Sequence, residues 1–258
     1  MATRASISWN KALLNISTGT RIWSTVIATL DYQLLLSDPW LGEILGVPTY
    51  RLNGGTGDLP RASGPRFLYC ATKKDDDSFA AWLRSKGFHL ADEALTYVWK
   101  GRRILNSSYS CRYARSSDEE SVARIARTGF SHDRFHRDAS IPNEIADTLK
   151  EAWARNFFRG LRGDHMLVAE TAEGAVVGFL QILRPDSETY VIDLTAVAPC
   201  QRGTGHGTAL IQTLQAKVKP GAVVRVGTQK ANTASVAFYE KLGFALVATT
   251  YVYHRHDT

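Results

Sequence analysis

The most informative stretch of the sequence is VAPCQRGTGHGTALI, which occupies residues 197–211. Residues 191–197, VIDLTAV, predict a β-strand in front of it, and residues 207–217 have a helical pattern. Glycines at 203, 205 and 207 let backbone N–H groups approach a ligand closely, since no Cβ stands in the way. At a helix N-terminus, such donors favour a phosphate group. The stretch therefore predicts a strand, a pyrophosphate-binding loop and a helix.

The spacing of this loop excludes two other phosphate-binding loops. A P-loop needs GxxxxGK[ST], and no Lys followed by Ser or Thr closes this one. A dinucleotide-binding loop needs GxGxxG and an acidic residue about 20 positions later, and residues 220–225 contain no acid. Arg202 either contacts phosphate or stabilises the loop. The loop alone also leaves open a glycine-rich turn that binds nothing.

Two motifs give the chain a family resemblance. Residues 197–211 resemble motif A of the GNAT family of N-acetyltransferases, roughly V-x-P-x-x-R-G-x-G-x-G/A. Residues 232–244, NTASVAFYEKLGF, resemble motif B, with Asn232, Tyr239 and the closing Gly243 and Phe244 at the family spacing. The two motifs stand in the family order, and the resemblance is strong over residues 166–254. It implies an acetyl-CoA-dependent N-acetyltransferase, an enzyme that uses no metal.

The order of the predicted elements agrees with this resemblance. Strands and helices alternate after an antiparallel start, which predicts a mixed α/β, α+β-like fold. The resemblance implies the GNAT version, a central, mostly antiparallel sheet with a splayed parallel strand pair, flanked by helices. We predict an N-terminal extension at 1–33, a partial GNAT-like domain at 34–110 and a catalytic GNAT domain at 111–258. The ending WLRSKGF at 82–88 echoes YEKLGF at 239–244, although any helix that stops at glycine resembles this pattern.

The resemblance also implies where acetyl-CoA binds. Its pantetheine arm lies in the gap between the splayed strands, and its pyrophosphate lies on the glycine loop. The predicted cofactor-binding residues are Thr195, Ala196, Val197, Gln201, Arg202, Gly203, Thr204, Gly205, His206, Gly207, Thr208, Asn232 and Tyr239. For His206 a solvated loop side chain is the alternative to a phosphate contact, and Asn232 also suits an N-cap.

Tyr239 is the predicted catalytic acid. The resemblance implies that its hydroxyl group lies near the thioester sulfur. A phenol has an ordinary pKa near 10 and a thiol one near 8.5, so the phenol is protonated at neutral pH and can donate to the departing thiolate. The alternative is a core aromatic residue.

A base, or a chain of water molecules, must take the proton of the attacking amine. Asp193 is our candidate, because it alternates with Thr195 on one face of the cofactor strand. Glu170, His136 and Asp138 are alternatives.

A narrower resemblance concerns the acceptor. The chain is similar to dTDP-fucosamine (dTDP-4-amino-4,6-dideoxygalactose) N-acetyltransferases and their relatives over about residues 34–255, on pieces such as WLRSKGF and SHDRFHR at 131–137. This implies an amino sugar on a nucleotide carrier as acceptor. The predicted substrate-binding residues are Arg134, Phe135, His136 and Asp138. Another small amine as acceptor and a non-catalytic acyl-CoA-binding module are the alternatives, and the segment itself could be a packed helix-to-loop transition.

Composition narrows the remaining choices. The net charge of the 258 residues is +6, but the basic residues are scattered, so we expect no nucleic-acid partner. No apolar stretch reaches about 18 residues and no signal-peptide pattern opens the chain, so we expect no membrane partner and a cytoplasmic location. The three cysteines match no metal-binding spacing. The family resemblance allows a homodimer, because relatives often form dimers.

Overall fold

The computed structural model describes residues 34–100 and 111–258, and all of them belong to one compact unit. The extension predicted at 1–33 lies outside the described residues, as does the segment 101–110. The strands are β1 (Leu35–Ser37), β2 (Thr49–Leu52), β3 (Arg66–Lys73), β4 (His89–Trp99), β5 (Cys111–Tyr113), β6 (His165–Glu170), β7 (Val176–Leu183), β8 (Thr189–Val197), β9 (Val223–Gln229) and β10 (Ala245–Asp257). The helices are α1 (Pro39–Leu45), α2 (Asp77–Ser85), α3 (Glu119–Thr128), α4 (Asn143–Phe158), α5 (His206–Lys217) and α6 (Thr233–Lys241). None of these helices is both long and apolar enough to cross a membrane.

These strands form a single sheet in the order β1-β2-β3-β10-β4-β9-β8-β7-β6-β5. Neighbouring strands are antiparallel except in two places, where β2 pairs with β3 and β8 pairs with β9 in parallel. Side chains alternate along β6, so that Leu167 packs with α5 while Met166 packs with α3 and α4 on the opposite face. The predicted mixed α/β fold, a mostly antiparallel sheet flanked by helices, is confirmed.

The strands of the two predicted domains interleave. β10, from the C-terminal segment, lies between β3 and β4, and β4 lies between β10 and β9. The boundary predicted near residue 110 therefore divides the chain without dividing the sheet. Within residues 111–258 alone, β9 and β10 have no strand between them to pair with, because that place is occupied by β4. Periodicity predicts that a segment is a strand, but it does not identify the neighbouring strand.

Two strand–helix–strand units repeat the same local structure. In the unit β3-α2-β4, Asp76 caps α2 by accepting a hydrogen bond from the backbone N of Phe79, at 3.1 Å. In the unit β9-α6-β10, Asn232 caps α6 by accepting from the backbone N of Ser235, also at 3.1 Å. The predicted N-cap role of Asn232 is thus confirmed.

The two helices also end alike. The backbone N of Phe88 donates to the carbonyl of Leu83 at 3.0 Å, and that of Phe244 donates to the carbonyl of Tyr239 at 3.1 Å. The echo between residues 82–88 and 239–244 is therefore structural, and Leu83 and Tyr239 occupy corresponding positions.

The parallel pair β8 and β9 separates part-way along its length. The two strands are paired as far as Ile192 and Val226, after which β8 continues to Val197 beside β7 and β9 continues to Gln229 beside β4. A β-bulge marks the point of separation, because β8 advances two residues, from Ile192 to Leu194, while β7 advances one. A bulge bends its strand. The predicted splay is confirmed, because β8 and β9 are not paired with each other beyond these residues. The gap between their facing edges is called the cleft below.

Candidate active site

The glycine loop lies at the open end of this cleft. It joins the end of β8 to the first residue of α5, with a 3-10 turn at Pro199–Gln201. Gly203 and Gly205 have φ angles of 79° and 99°, in the left-handed region that favours glycine. Gly205 is the N-cap residue of α5, which is 12 residues long. The free backbone N–H groups and the positive end of the helix dipole therefore face the mouth of the cleft.

Arg202 stabilises the loop. Its Nη2 donates a hydrogen bond to the carbonyl oxygen of Gly129 at 2.8 Å, and its Nε lies 3.4 Å from the carbonyl oxygen of Val197. The hydroxyl group of Thr204 donates to the carbonyl oxygen of Gln201 at 2.6 Å. Of the two roles expected for Arg202, the structure contains the loop-stabilising one. Internal hydrogen bonds thus preset the loop conformation.

The wall of the cleft formed by β8 is packed tightly from one side. A Cβ on Gly129 would lie 2.8 Å from the Cβ of Ala196 and 2.7 Å from the carbonyl oxygen of Ile125, so a larger residue does not fit there. The hydroxyl group of Thr195 donates to the carbonyl oxygen of Phe179 at 2.8 Å. His206 is the first residue of α5 and is buried, so it is not the solvated loop side chain that was one of the two expectations for it.

Tyr239 lies on α6 within the core that backs the cleft. Its side chain is 4% exposed, and its ring contacts those of Phe238 and Phe244 at centroid distances of 5.3 and 5.5 Å. Burial raises the pKa of the phenol well above its ordinary value of 10, so it is protonated at neutral pH. Among the described residues, its hydroxyl group has no hydrogen-bond partner.

Asp193 is held by several donors at the bulge. Arg162 donates to both of its carboxylate oxygens, at 2.6 and 2.5 Å, Trp153 Nε1 donates at 2.9 Å and Gln181 Nε2 donates at 3.2 Å. The carboxylate is 3% exposed. An oxygen that already accepts from these groups is a poor acceptor for the proton of an incoming amine. These hydrogen bonds of Asp193 instead stabilise the bulge at which β8 separates from β9.

The other candidates for the base are also engaged. Glu170 accepts from Arg112 at 2.6 Å. His136 lies between two carboxylates, with Nδ1 at 2.6 Å from Asp133 and Nε2 at 3.1 Å from Asp147. The hydrogen bond to Asp133 raises the pKa of this imidazole, which favours its charged form, and a charged imidazole cannot accept a proton.

The predicted substrate-binding residues lie in a packed segment. The guanidinium of Arg134 stacks between the rings of Tyr69 and Phe135, at 4.5 and 4.3 Å, and its Nη1 lies 3.3 Å from Nε2 of His254. Phe135 is buried, and Asp138 accepts from His254 at 2.6 Å. These contacts fit the alternative of a packed helix-to-loop transition.

Buried aspartates that sequence reasoning missed complete this network. Asp38 accepts from the hydroxyl group of Tyr69 at 2.8 Å, and Asp92 accepts from Arg137 at 2.9 Å. No sequence signal marks either aspartate as buried, because polar residues interrupt the strand pattern of β4 around Asp92.

Residues 130–141 connect the cleft with the distant strands. They come directly after Gly129, which touches β8, and they reach β4 through Asp92 and β10 through His254. Strands β8 and β10 are three spacings apart in the sheet, or about 14 Å. The segment therefore crosses β9 and β4 beside the cleft.

Residues 132–244 match the model of the Acetyltransferase (GNAT) family. They form a GNAT domain. This match contains the splayed pair, the glycine loop and α6 but not β4 or β10.

Three curated proteins resemble the chain. The spore coat polysaccharide biosynthesis protein SpsD of Bacillus subtilis is 30% identical over 139 residues, 53% of this chain and 47% of that protein. The L-2,4-diaminobutyric acid acetyltransferase of Nocardia farcinica is 40% identical over 110 residues, which are 41% of this chain and 54% of that protein. The dTDP-fucosamine acetyltransferase of Escherichia coli O6:H1 is 26% identical over 175 residues, which are 67% of this chain and 74% of that protein. The chain spans about half the length of the first two.

The fold of the GNAT domain recurs among solved structures. A GCN5-related N-acetyltransferase from Sphaerobacter thermophilus superposes with a TM-score of 0.53 at 13% identity, covering 76% of this chain and 61% of that one. At this identity the likeness concerns the fold alone.

Proposed function

We propose that the chain transfers the acetyl group of acetyl-CoA to a primary amine by direct attack in a ternary complex. One observation carries the proposal, namely that a preset glycine loop at the N-terminus of α5 lies at the mouth of the cleft between β8 and β9. The loop and the cleft offer donors for a pyrophosphate and a gap for an extended arm. The GNAT match supports the same placement.

The residues present fit acetyl-CoA. Beyond Ile192 and Val226, the facing backbone edges of β8 and β9 are not paired with each other, so an extended arm can bond to them as an added strand would. Thr195, Ala196 and Val197 line this edge of β8. The pyrophosphate would lie on residues 201–208, with Asn232 at the start of α6.

In the proposed reaction, the nitrogen lone pair forms a bond to the thioester carbonyl carbon, and the bond between carbon and sulfur breaks. Tyr239 donates its proton to the departing thiolate and is reprotonated from solvent. The ammonium proton of the tetrahedral adduct leaves through water. We assign Asp193 to positioning rather than to this proton transfer, because its oxygens are bound by Arg162, Trp153 and Gln181.

For the acceptor we propose an amino sugar on a nucleotide carrier. The support is the similarity to the dTDP-fucosamine acetyltransferase, which extends over 67% of the chain and so exceeds the family match. A second candidate is the amine of an amino acid. It is favoured by the higher identity to the diaminobutyric acid acetyltransferase over a shorter segment.

The substrate residues predicted on the segment 130–141 are part of the same proposal. Because Arg134 is stacked between two rings, Arg137 is the more accessible cation toward a diphosphate, with 41% of its side chain exposed.

The test is an acceptor screen with acetyl-CoA that measures thiol release. It compares a free amino sugar, the same sugar on dTDP or UDP, and 2,4-diaminobutyrate. Faster turnover of the nucleotide-linked sugar would support the first candidate, and preference for diaminobutyrate would replace it with the second. Failure of every amine, together with tight acetyl-CoA binding, would leave a non-catalytic binding module.

A further inference from the structure

Three histidines surround the carboxylate of Asp138, away from the glycine loop. Oδ2 of Asp138 lies 2.6 Å from Nδ1 of His254, 2.9 Å from Nε2 of His256 and 3.6 Å from Nε2 of His89. The residues come from three parts of the chain, since His89 begins β4, Asp138 lies in the segment 130–141 and the other two lie on β10.

One carboxylate oxygen cannot satisfy three imidazoles. It has two lone pairs, and the hydrogen bonds from His254 and His256 use them, so His89 remains beyond hydrogen-bond distance. The ligand atoms of His89, Asp138 and His254 all lie within 4.8 Å of one another. An ion with bonds of about 2.0–2.2 Å could contact all three after small side-chain movements.

We propose that His89, Asp138 and His254 bind one divalent transition-metal ion of the Zn²⁺ type, with His256 available as a fourth ligand. Imidazole nitrogen and carboxylate oxygen are ligands that such ions prefer. Asp138 and His254 are buried, whereas 50% of the His89 side chain is exposed, so the ion can enter from solvent. The ion would join β4, β10 and the segment that crosses the sheet beside the cleft, which makes it a structural ion rather than part of acetyl transfer.

Metal binding would change one existing contact. Without metal, Nη1 of Arg134 faces Nε2 of His254, whose Nδ1 faces Asp138, so the neutral ring accepts from Arg134 and donates to Asp138. A metal on Nδ1 leaves the ring proton on Nε2, opposite the N–H of Arg134. The cation at Arg134 therefore opposes metal binding, and the Arg134→Met variant should bind the ion more tightly than the natural chain.

The experiment uses the full chain without a histidine tag, stripped of metal by a chelator that is then removed. Zn²⁺ is titrated by calorimetry, and Co²⁺ is titrated by its visible absorption. We expect one ion per chain and a rise in the unfolding temperature with metal concentration. His89→Ala should weaken binding by roughly 10–100-fold or more. Because His89 is half-exposed, this variant should stay folded, which circular dichroism checks.

The matched control is His132→Ala, which removes an exposed histidine of the same segment and should leave metal affinity unchanged. Absence of saturable binding by the natural chain would overturn the proposal. Equal effects of His89→Ala and His132→Ala would also overturn it, because they would indicate adventitious binding by surface histidines. Neither readout depends on acetyl transfer, so the acetyltransferase proposal stands or fails separately.

Discussion

The two parallel strand pairs of the sheet differ in the segment that leaves their first strand. The strand order β2-β3-β10-β4-β9-β8 is symmetric. Read from the other end, it is the same order with β2, β3 and β4 exchanged for β8, β9 and β10. A parallel pair lies at each end. Strand β8 contains the bulge and leads into the glycine loop and α5. Strand β2 leads into residues 53–65, which contain no helix or strand. The framework is duplicated, but the glycine loop and α5 occur in one half, so the proposed chemistry depends on a loop and a helix N-terminus rather than on the sheet.

The largest expected effect comes from separating the halves. A chain restricted to residues 111–258 lacks β4, so β9 and β10 lose their common neighbour and expose unpaired backbone. We expect no cooperative thermal unfolding from this fragment in calorimetry. A fragment with the sharp transition of the full chain would show that the C-terminal half is complete alone.

The next effect tests the corresponding residues Tyr239 and Leu83. Tyr239→Phe keeps the ring and removes the hydroxyl group, so turnover should fall by about 10²–10⁴ while acetyl-CoA binding changes little. The matched control, Tyr97→Phe, removes a nearby hydroxyl that donates to Glu240 and should leave turnover much closer to that of the natural chain. Near-normal turnover of Tyr239→Phe would make Tyr239 a core residue like Leu83.

Asp193→Asn tests the bulge that β8 has and β2 lacks. The change removes one charge of a buried ion pair with Arg162, so the free energy of unfolding should fall by about 3–5 kcal/mol in denaturant titrations. If Asp193 only positions the strand, the residual activity keeps the pH profile of the natural chain. Normal stability with a lost acidic limb, the fall in activity at low pH, would instead identify Asp193 as the base.

The smallest effect compares glycines in the two loops. Gly205→Val should weaken acetyl-CoA binding at least about tenfold, or 1.4 kcal/mol, because it puts a branched side chain where phosphate would approach. Gly54 also has a positive φ angle, 77°, and lies after β2, so Gly54→Val imposes similar backbone strain away from the proposed phosphate site. Calorimetric titration with acetyl-CoA should separate the two variants, and equal weakening would indicate a general loss of stability.

The sequence predicted the parts of the fold that depend on local patterns. The longer helices and the N-cap at Asn232 are examples, since periodicity and capping residues act over a few positions. The splayed pair was instead implied by the family resemblance. The elements β1, α1 and β5 were not predicted, because they are too short to show a periodic pattern. Polar residues interrupt the strand pattern of β4 before residue 97, so its first part cannot be predicted from periodicity. Glu93, in that part, has its partners Lys74 and Lys230 in distant segments.

Less of the candidate site could be predicted. Its glycine loop is local and was identified from spacing. The bulge was not, because it breaks the alternation on which a strand prediction rests, and Ile192 and Leu194 consequently pack in different hydrophobic clusters. The partners of Asp193 and Arg134 come from elements far away in the chain, and a single sequence carries no record of such pairs.

The interleaved strands have a consequence for synthesis on the ribosome. The last strand, β10, pairs with β3, and Arg66 bonds to Asp257 across 191 positions of the sequence. The facing edges of β3 and β4 must therefore wait for almost the whole chain to be translated. At about 5–20 residues per second, that delay is on the order of ten seconds or more. During this interval the N-terminal half is open to pairing with other nascent chains, and early chaperone binding would protect it.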